Sequence, residues 1–464
     1  MTSSASDLSG DGDRRNTLWA SAAALALFVA PRLALAWRRE TGYDEMFTLW
    51  ASRKSIADLF ETLRFDSGPP LHYLIVHVLH ATSIHPARAI SIVAAIAALF
   101  VAMAAVTRPS DRFIVGALLA AYPIHIVFSA EARAYAMCAL LAGVAAVALD
   151  RWIDDGRDAM LAVACAAIVV MAYAHHYGVF FFPLPVVMAL CFRRDRIMRA
   201  VMFTIGMAVL YAPVVPLLLH QLPNAVPWMA LESDAERIAI ASETFLRIGF
   251  DGRMIASLAI RVVSIVLLGV AACGTIRSPR ARRQFVVLLV PMCGAVIGAI
   301  AGLRAYFPVK FETVLSVPAI LWFFFAMPRR LRIVAFPVAF IIGAFASATL
   351  FTHSERTFEP MRVVTTSISA AAWSDTRFVA TGPAFIALSL SRPTTPFPSA
   401  HAIHPSIEVP PAQLDREAAR LPVPFVWVGN VHTRELETLR RHFALERVLQ
   451  KGDEAAVIVR PRRV

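Results

Sequence analysis

Charged residues lie at the ends of long apolar runs in three short stretches of the sequence. Asp44 and Glu45 follow the first apolar run after a few residues. Glu131 and Arg133 stand between two later runs, and Lys310 opens a late one. Two acidic sites and a cation at the outer ends of apolar runs favour a functional site on one side of the membrane.

The segment FSAEARAYAM, residues 128–137, constrains where two of these charges lie. A charge at the centre of a bilayer costs about 2.5–3.5 kcal/mol, so we expect Glu131 and Arg133 at helix ends or in a water-filled cavity. Residues two apart do not share a helix face, so the two side chains are expected to meet different partners. A structural clamp between two helices stays open as the alternative.

The composition predicts an all-α polytopic membrane protein. Of the 464 residues 58% are hydrophobic and 17% are charged, against about 45–50% and 25% in soluble proteins. Apolar runs long enough to cross a bilayer recur from Leu18 to Phe351. We predict about eleven transmembrane helices, at 18–37, 87–106, 113–129, 134–150, 159–174, 178–192, 199–218, 254–275, 284–303, 309–326 and 332–351. The first run is interpreted as an uncleaved anchor rather than a signal peptide, because it continues to Trp37.

The net charge of +12 is distributed in arginine clusters between the spans. This is the positive-inside pattern rather than a basic face for nucleic acid, so no nucleic-acid partner is expected. Every cluster falls inside if Pro69–His80 is an amphipathic interfacial helix and not a span. The outer face then receives residues 38–86, the Glu131–Arg133 turn, His175–Tyr177, residues 220–252, Arg304–Lys310 and the C-terminal tail.

The pattern predicts three parts of the chain. Residues 1–16 are expected to be disordered, 17–351 to form the transmembrane domain with an outer loop at 38–86, and 352–464 to form a small soluble α/β domain. In the tail, FEPMRVVTTSISAAAW, REAARL and TRELETLRRHF have helical character, and RFVATG, PFVWVG and AAVIVRP are strand-like. All five cysteines lie in apolar runs, so neither a disulfide framework nor a thiolate metal site is expected.

A set of motifs in order resembles the GT-C superfamily, and in particular the glycosyltransferase family 39 proteins. These include protein O-mannosyltransferases, lipid A aminoarabinose transferases and galacturonosyltransferases of the lipopolysaccharide core. The motifs are the Asp44–Glu45 pair, PPLHYLI, SAEARAYAM, AHHYG, YAPVVPLLLHQLP and FPVKFETVLSVP, over residues 17–351. Where the family has Arg-Tyr before the late proline, this chain has Lys310–Phe311.

The resemblance implies a GT-C fold and the transfer of a sugar, with inversion, from a polyprenyl-phosphate donor to an acceptor on the outer leaflet. Asp44 would be the general base, with Glu45 beside it in the catalytic site. Glu45 and Glu131 would orient hydroxyl groups of the acceptor or the sugar, and Arg133 or Lys310 would hold the phosphate. The other candidate substrate-binding residues are His72, Tyr73, Tyr135, His175 and His176. For the two histidines, interfacial packing against lipid headgroups is an equal alternative.

The expected location is the bacterial cytoplasmic membrane, with the active site and tail on the periplasmic side. No cofactor is required by this interpretation, and a divalent metal is the minority view because no ligand spacing supports one. A lipid or solute transporter is the competing function class. Transporters place their sites near the midplane, often between repeats, whereas these charges lie at outer helix ends.

Overall fold

A computed structural model describes residues 5–39, 41–224, 258–300, 310–357, 377–391, 394–396, 409–451 and 454–462. The chain divides into two compact units. The first comprises residues 1–39, 68–72 and 85–354, and the second comprises residues 40–67, 73–84 and 355–464.

Both units contain α-helices among the described residues. In chain order they are α1 Ala5–Arg38, α2 Tyr43–Ser52, α3 Ile56–Leu63, α4 Leu71–Val78, α5 Ile84–Ala104, α6 Pro109–Ala120, α7 Pro123–Ser129, α8 Tyr135–Asp155, α9 Asp158–Ala174, α10 Leu184–Phe192, α11 Ile197–Tyr211, α12 Val215–Asn224, α13 Leu258–Arg277, α14 Pro279–Ile300, α15 Lys310–Val314, α16 Ser316–Ala326, α17 Arg329–Thr357, α18 Gly382–Ser391, α19 Pro411–Ala418 and α20 Arg434–His442. Short 3-10 segments occupy His176–Phe181, Arg194–Arg196 and Ala212–Val214.

The first unit is a polytopic membrane bundle. Six of its described helices are long and apolar enough to cross a membrane, and the bent pair α6–α7 is a seventh candidate. Four shorter apolar helices lie at Asp158–Ala174, His176–Phe192, Val262–Arg277 and Ser316–Ala326. Together these are eleven apolar segments among the described residues, at the places where the sequence predicts about eleven spans.

The segment predicted as one span at 113–129 is broken. Helix α6 ends at Ala120, α7 begins at Pro123, and the two are bent by 69°. Proline disfavours helical backbone in the residue before it and suits the first turn of a new helix, which explains the break. Arg32 of α1 donates from Nη2 to Leu119 O at 3.3 Å and lies 2.8 Å from His125 Nδ1. The fully buried arginine thus donates to carbonyl groups of the last turn of α6, next to the break.

The N-terminal segment differs from its prediction. Helix α1 begins at Ala5, within the residues 1–16 that we expected to be disordered. Helix elongation fixes one residue for each hydrogen bond gained and needs no new nucleation step. The membrane-spanning part of α1 can therefore extend toward the N-terminus as helix.

Helix α4 has eight residues, Leu71–Val78, within the predicted interfacial segment Pro69–His80. Its length is about 12 Å, too short for a span. His72, Tyr73 and Val76 are buried, whereas Val78 and Leu79 are more than 60% exposed. His72 and Tyr73 therefore face protein, and the apolar side chains of Val78 and Leu79 stay open, as an interfacial helix requires.

The second unit contains a five-stranded mixed sheet. Its strands are β1 Phe378–Ala380, β2 Thr395–Pro396, β3 Phe425–Asn430, β4 Ala444–Lys451 and β5 Glu454–Arg460. The order is β2-β1-β3-β5-β4, with β1 parallel to β2 and β3, and with β5 antiparallel to β3 and β4. Trp427 of β3 and Leu439 of α20 are fully buried in its core. This confirms the small C-terminal α/β part.

Residues after the first span pack against this α/β part. The Trp50 and Phe385 rings meet edge to face at 5.8 Å, and Arg53 Nη1 donates to Leu390 O at 3.2 Å. The sequence assigns the outer loop 38–86 to the transmembrane domain, but most of this loop groups with the C-terminal unit. The boundary of that unit at 354/355 lies close to the predicted 351/352. Apolar side chains of α2 explain the grouping, because they need a partner surface.

Some predicted features lie outside the described residues. They are residues 225–252 of the outer loop, residues 304–309 before Lys310, and the helical piece FEPMRVVTTSISAAAW at 358–373.

Candidate active site

Glu131 lies in the short connection between α7 and α8 and is 4% exposed. Its Oε1 is 3.7 Å from Nη2 of Arg39, at the end of the first span. Arg39 Nη1 also donates to Val127 O at 3.5 Å. The sequence predicted that Glu131 would meet a partner other than Arg133, and Arg39 is such a partner. A buried carboxylate beside a guanidinium is stabilised in its charged form.

Two residues of α5 hold the backbone around this ion pair. Arg88 is 1% exposed, and its Nη1 donates to Ala36 O at 2.6 Å and to Arg39 O at 2.9 Å. Ser91 Oγ donates to Arg133 O at 3.0 Å. The end of α1 and the Glu131–Arg133 turn are therefore fixed to the same helix.

His72 lies close to the same turn and is buried. The pKa of its imidazole is lowered to about 4, first by burial and second by the positive charge of Arg133, while the backbone of Ala132 acts in the opposite direction. His72 is therefore neutral at physiological pH, so it can both donate and accept a hydrogen bond. His72 and Arg133, two of the predicted substrate-binding residues, therefore lie near each other.

A second cluster gathers around Tyr135, the first residue of α8. The Tyr135 ring is 5.5 Å from the His175 ring, and Lys310 Nζ is 5.7 Å from the Tyr135 ring centroid. The His175 ring also lies 3.9 Å from that of Tyr177, which meets Phe311 edge to face at 5.1 Å. A cation over an aromatic face is attracted by the ring quadrupole, so Lys310 is held near the start of α8.

His176 belongs to a third cluster. Its Nδ1 is 3.0 Å from the Tyr211 hydroxyl, and its Nε2 is 2.6 Å from Gln221 Oε1. The buried Gln221 amide donates to Gly68 O at 2.9 Å, one residue before PPLHYLI. The turn that carries His176 requires Gly178, since a side chain there would overlap the backbone of Met171 and Ala172. Two separate motifs, AHHYG and YAPVVPLLLHQLP, therefore meet at His176, and Gln221 links them to the residue before PPLHYLI.

Asp44 and Glu45 belong to the second unit and occupy the first turn of α2. Glu45 is fully buried, and its Oε2 accepts a hydrogen bond from the Gly42 backbone N–H at 3.2 Å. This contact closes the first turn of the helix, where a carboxylate is also favoured by the helix dipole. Asp44 is half-buried, and its carbonyl oxygen accepts a hydrogen bond from Thr48 at 2.9 Å.

Tyr73 also lies in the second unit. It is 3% exposed, its hydroxyl donates to Asp66 at 2.6 Å, and its ring meets Phe47 edge to face at 6.1 Å. Its carbonyl oxygen accepts from Ser52 at 3.1 Å. Tyr73 is thus tied to both ends of the segment that carries Asp44.

Metal ligation has little geometric support in the part of the chain that is described. No group of three or more His, Cys, Asp or Glu side chains there lies close enough together to hold a metal ion.

Some residues of these clusters were not singled out from the sequence. Arg39, Tyr177, Tyr211 and Gln221 contact the predicted residues directly. Glu312, fully buried in α15, follows Lys310 by two positions. All except Arg39 lie inside the recognised motifs, so reading each motif for every polar or aromatic member would have found them.

The fold defines a polytopic membrane protein with a C-terminal α/β part, and solved structures are similar to it in fold. ArnT from Cupriavidus metallidurans bound to undecaprenyl phosphate matches with a TM-score of 0.61 at 14% identity. The apo state of the same protein matches with a TM-score of 0.61 at 13% identity. Each match covers 95% of this chain and 97% of ArnT.

ArnT is a lipid A aminoarabinose transferase of GT-C fold. The likeness over nearly the whole of both chains shows that this protein has the GT-C fold, as the motifs predicted. No protein-family model matches the sequence, and no curated protein matches it.

Proposed function

We propose that the protein is an integral-membrane glycosyltransferase that moves a sugar from a polyprenyl-phosphate donor to an acceptor on the outer leaflet. The observation that carries this proposal is the fold match to ArnT, which covers 97% of that chain in a structure with undecaprenyl phosphate bound. The clusters of buried charged and aromatic side chains at the motif positions support it.

In the proposed reaction the acceptor oxygen forms a bond to the anomeric carbon, and the bond from that carbon to the phosphate oxygen breaks. Attack opposite the leaving group inverts the configuration. Asp44 accepts the hydroxyl proton, and undecaprenyl phosphate leaves with the bonding electron pair. A carboxylate held at the start of a helix is a suitable base, because its position is fixed before the acceptor binds.

Glu45 supports the base in this proposal. Its contact with the Gly42 N–H stabilises the first turn of α2, on which Asp44 lies. In this proposal Asp44 accepts the proton, and Glu45 stabilises the backbone that carries Asp44. Tyr73 contributes through its contacts on both sides of the same segment.

The phosphate of the donor is assigned to Arg133 and Lys310. Arg133 is 8% exposed and follows a carboxylate already paired with Arg39, while Lys310 lies over the Tyr135 ring. A fixed cation in a desolvated site stabilises developing negative charge more than a cation in water does. Glu131, His72, Tyr135, His175 and His176 would orient the sugar and the acceptor.

The proposal includes a location. On the positive-inside pattern of the sequence, we propose that the site acts on the periplasmic side of the bacterial cytoplasmic membrane. A donor carried by a lipid explains a site at helix ends, since the reacting phosphate of such a lipid lies at the membrane surface.

The test uses purified protein in nanodiscs. Undecaprenyl-phosphate-linked aminoarabinose, galacturonic acid and mannose are each supplied with an envelope lipid extract, and mass spectrometry follows the carrier. We expect one donor to yield free undecaprenyl phosphate together with a glycosylated product. A protein that moves a donor across a liposome membrane with its sugar bond intact would instead be a transporter.

A further inference from the structure

A groove runs along the surface of helix α13 in the first unit, away from the clusters described above. The cavity has a volume of about 430 Å³ and ends at Pro328, in the turn before α17. Its other lining residues all come from α13: Val266, Gly269, Val270, Cys273, Gly274 and Arg277. Their spacing of three and four residues places them on one helix face. Eleven residues of helix correspond to about 16 Å, which is the depth of one leaflet of a hydrocarbon core.

Two glycines give the groove its shape. A Cβ atom added at Gly269 would meet nothing within 4 Å, so this part of the groove is open. A Cβ atom at Gly274 would overlap the carbonyl oxygen of Ala326, so this glycine allows α13 to approach the end of α16 closely. Helix α13 therefore lies close to the end of α16 at Gly274, and the groove is open at Gly269 and at Val266, which is 57% exposed.

The charge at the Pro328 end of the groove differs from that of the neighbouring arginine cluster. Arg280 and Arg283 form ion pairs with Asp150 and Asp154. Arg277 lies in the last turn of α13, is exposed, and makes no hydrogen bond or ion pair with any described residue.

Arg329 and Arg330 follow Pro328 directly and are exposed as well. The groove therefore ends in positive charge that the described part of the protein does not neutralise. An apolar channel one leaflet deep with an uncompensated guanidinium at its end is complementary to a lipid with an acyl chain and an anionic headgroup. Guanidinium groups bind phosphate oxygens well because they offer paired N–H donors.

We propose that this groove binds an anionic phospholipid of the leaflet at the Arg277 end, which the charge pattern assigns to the cytoplasmic side. One acyl chain lies along the α13 face from Val266 to Cys273, and the phosphate contacts Arg277. The site is distinct from the donor clusters, and its occupancy does not depend on the proposed transfer reaction.

The experiment measures phospholipid binding to the full chain by native mass spectrometry, with dioleoyl phosphatidylglycerol and dioleoyl phosphatidylcholine as probes. We expect one phosphatidylglycerol to be retained about tenfold more tightly than phosphatidylcholine. Arg277→Gln should remove that preference by lowering the affinity for phosphatidylglycerol about tenfold. A loss of this size is expected when one charge-assisted hydrogen bond is removed. Gly269→Leu should weaken both lipids, because its side chain fills the channel.

Two matched variants control for general effects. Arg282→Gln removes an exposed charge outside the groove. Gly206→Leu adds the same bulk where a Cβ atom also meets nothing within 4 Å. Both should bind as the unmodified protein does, and unfolding temperatures should be unchanged in all four variants, since the positions are exposed.

Three results would overturn the proposal. The first is equal retention of the two phospholipids by the unmodified protein, or an equal loss in Arg277→Gln and Arg282→Gln. The second is a dimer that Gly269→Leu dissociates, which would make the groove a subunit interface. The third is displacement of phosphatidylglycerol by undecaprenyl phosphate, which would assign the groove to the donor.

Discussion

Arg39 at the end of the first span and Glu131 between α7 and α8 form a buried ion pair, with Nη2 3.7 Å from Oε1. Their side chains are 9% and 6% exposed. The pair joins two segments that are 92 positions apart in the chain, and Arg88 fixes the backbone of the arginine. The carboxylate of Glu131 thus has a cationic partner within the first unit.

Breaking this pair from either side should destabilise the protein. Arg39→Gln or Glu131→Gln should lower the free energy of unfolding by about 3 kcal/mol, because each leaves a buried charge without its partner. The double variant should recover part of that loss. Chemical unfolding in detergent measures all three variants.

The matched control is the exposed pair Glu61–Arg64, whose atoms are 2.9 Å apart. Glu61→Gln should change the free energy of unfolding by less than about 1 kcal/mol, as exposed pairs do. Equal losses of stability in Glu61→Gln and Glu131→Gln would show that burial does not increase the contribution of the Arg39–Glu131 pair to the free energy of unfolding.

Lowering the pH should destabilise the protein through protonation of His72. Because its pKa is about 4 in the folded protein and the ordinary value is 6.5, the unfolded state binds more protons between these values. Stability from the neutral imidazole is therefore fully present above pH 6.5 and is lost as the pH falls toward 4. The full effect is roughly 3 kcal/mol, since a tenfold change in proton affinity is about 1.4 kcal/mol.

The measurement compares unfolding temperatures of the unmodified protein and His72→Gln at pH 7.5 and pH 5. The unmodified protein should lose more stability on acidification than the variant does. Parallel curves for the two proteins would mean that His72 is not held neutral.

Gln221 should connect His176 to the start of PPLHYLI. Gln221→Ala removes the 2.6 Å contact to His176 and the 2.9 Å contact to Gly68 O, and should cost about 1–3 kcal/mol of stability. It should also raise the KM for the lipid donor if His176 orients that donor. Gln413→Ala, which removes a surface contact to Glu417 at 3.0 Å, is the control and should change neither quantity. An unchanged KM in Gln221→Ala would remove His176 from substrate binding.

Topology can be measured with single cysteines in a cysteine-free background. Ser110→Cys and Asp195→Cys should react with a membrane-impermeant maleimide only after the cells are opened, and His432→Cys should react in spheroplasts. All three positions are exposed. If positions 110 and 195 were labelled from opposite sides, the assignment of Pro69–His80 as a non-spanning helix would be wrong.

Much of the fold could be predicted because bilayer insertion imposes strong patterns. Long apolar runs and arginine clusters predicted the helices of the first unit, and alternating short elements predicted the C-terminal α/β part. The break at Ala120–Pro123 was missed, since the apolar pattern continues through it and only Arg32 and Pro123 mark the change. Local composition also could not show that residues after the first span pack with the C-terminal part, because Trp50 and Phe385 are far apart in sequence.

The sequence selects candidate site residues by type but not their partners. Tyr135, His175 and Lys310 come from three separate motifs and lie close together in the structure. The pairing of Glu131 with Arg39 required three-dimensional information, because many arginines lie at helix ends and the sequence does not distinguish among them.

Asp44→Asn tests the central proposal, that this carboxylate is the general base of an inverting sugar transfer. The substitution keeps the size of the side chain and removes its ability to accept a proton. Glu45→Gln is the neighbouring comparison and should cost less, because it retains an oxygen that can accept from Gly42 N–H. Asp58→Asn, at an exposed position of α3, is the matched control and should leave the rate unchanged.

The decisive measurement is the single-turnover rate with a saturating undecaprenyl-phosphate-linked sugar, for protein whose unfolding temperature and binding of undecaprenyl phosphate are normal. The account predicts that Asp44→Asn lowers this rate by about 10²–10⁴-fold. A rate close to that of the unmodified protein would contradict it and would move the search for the base to Glu131.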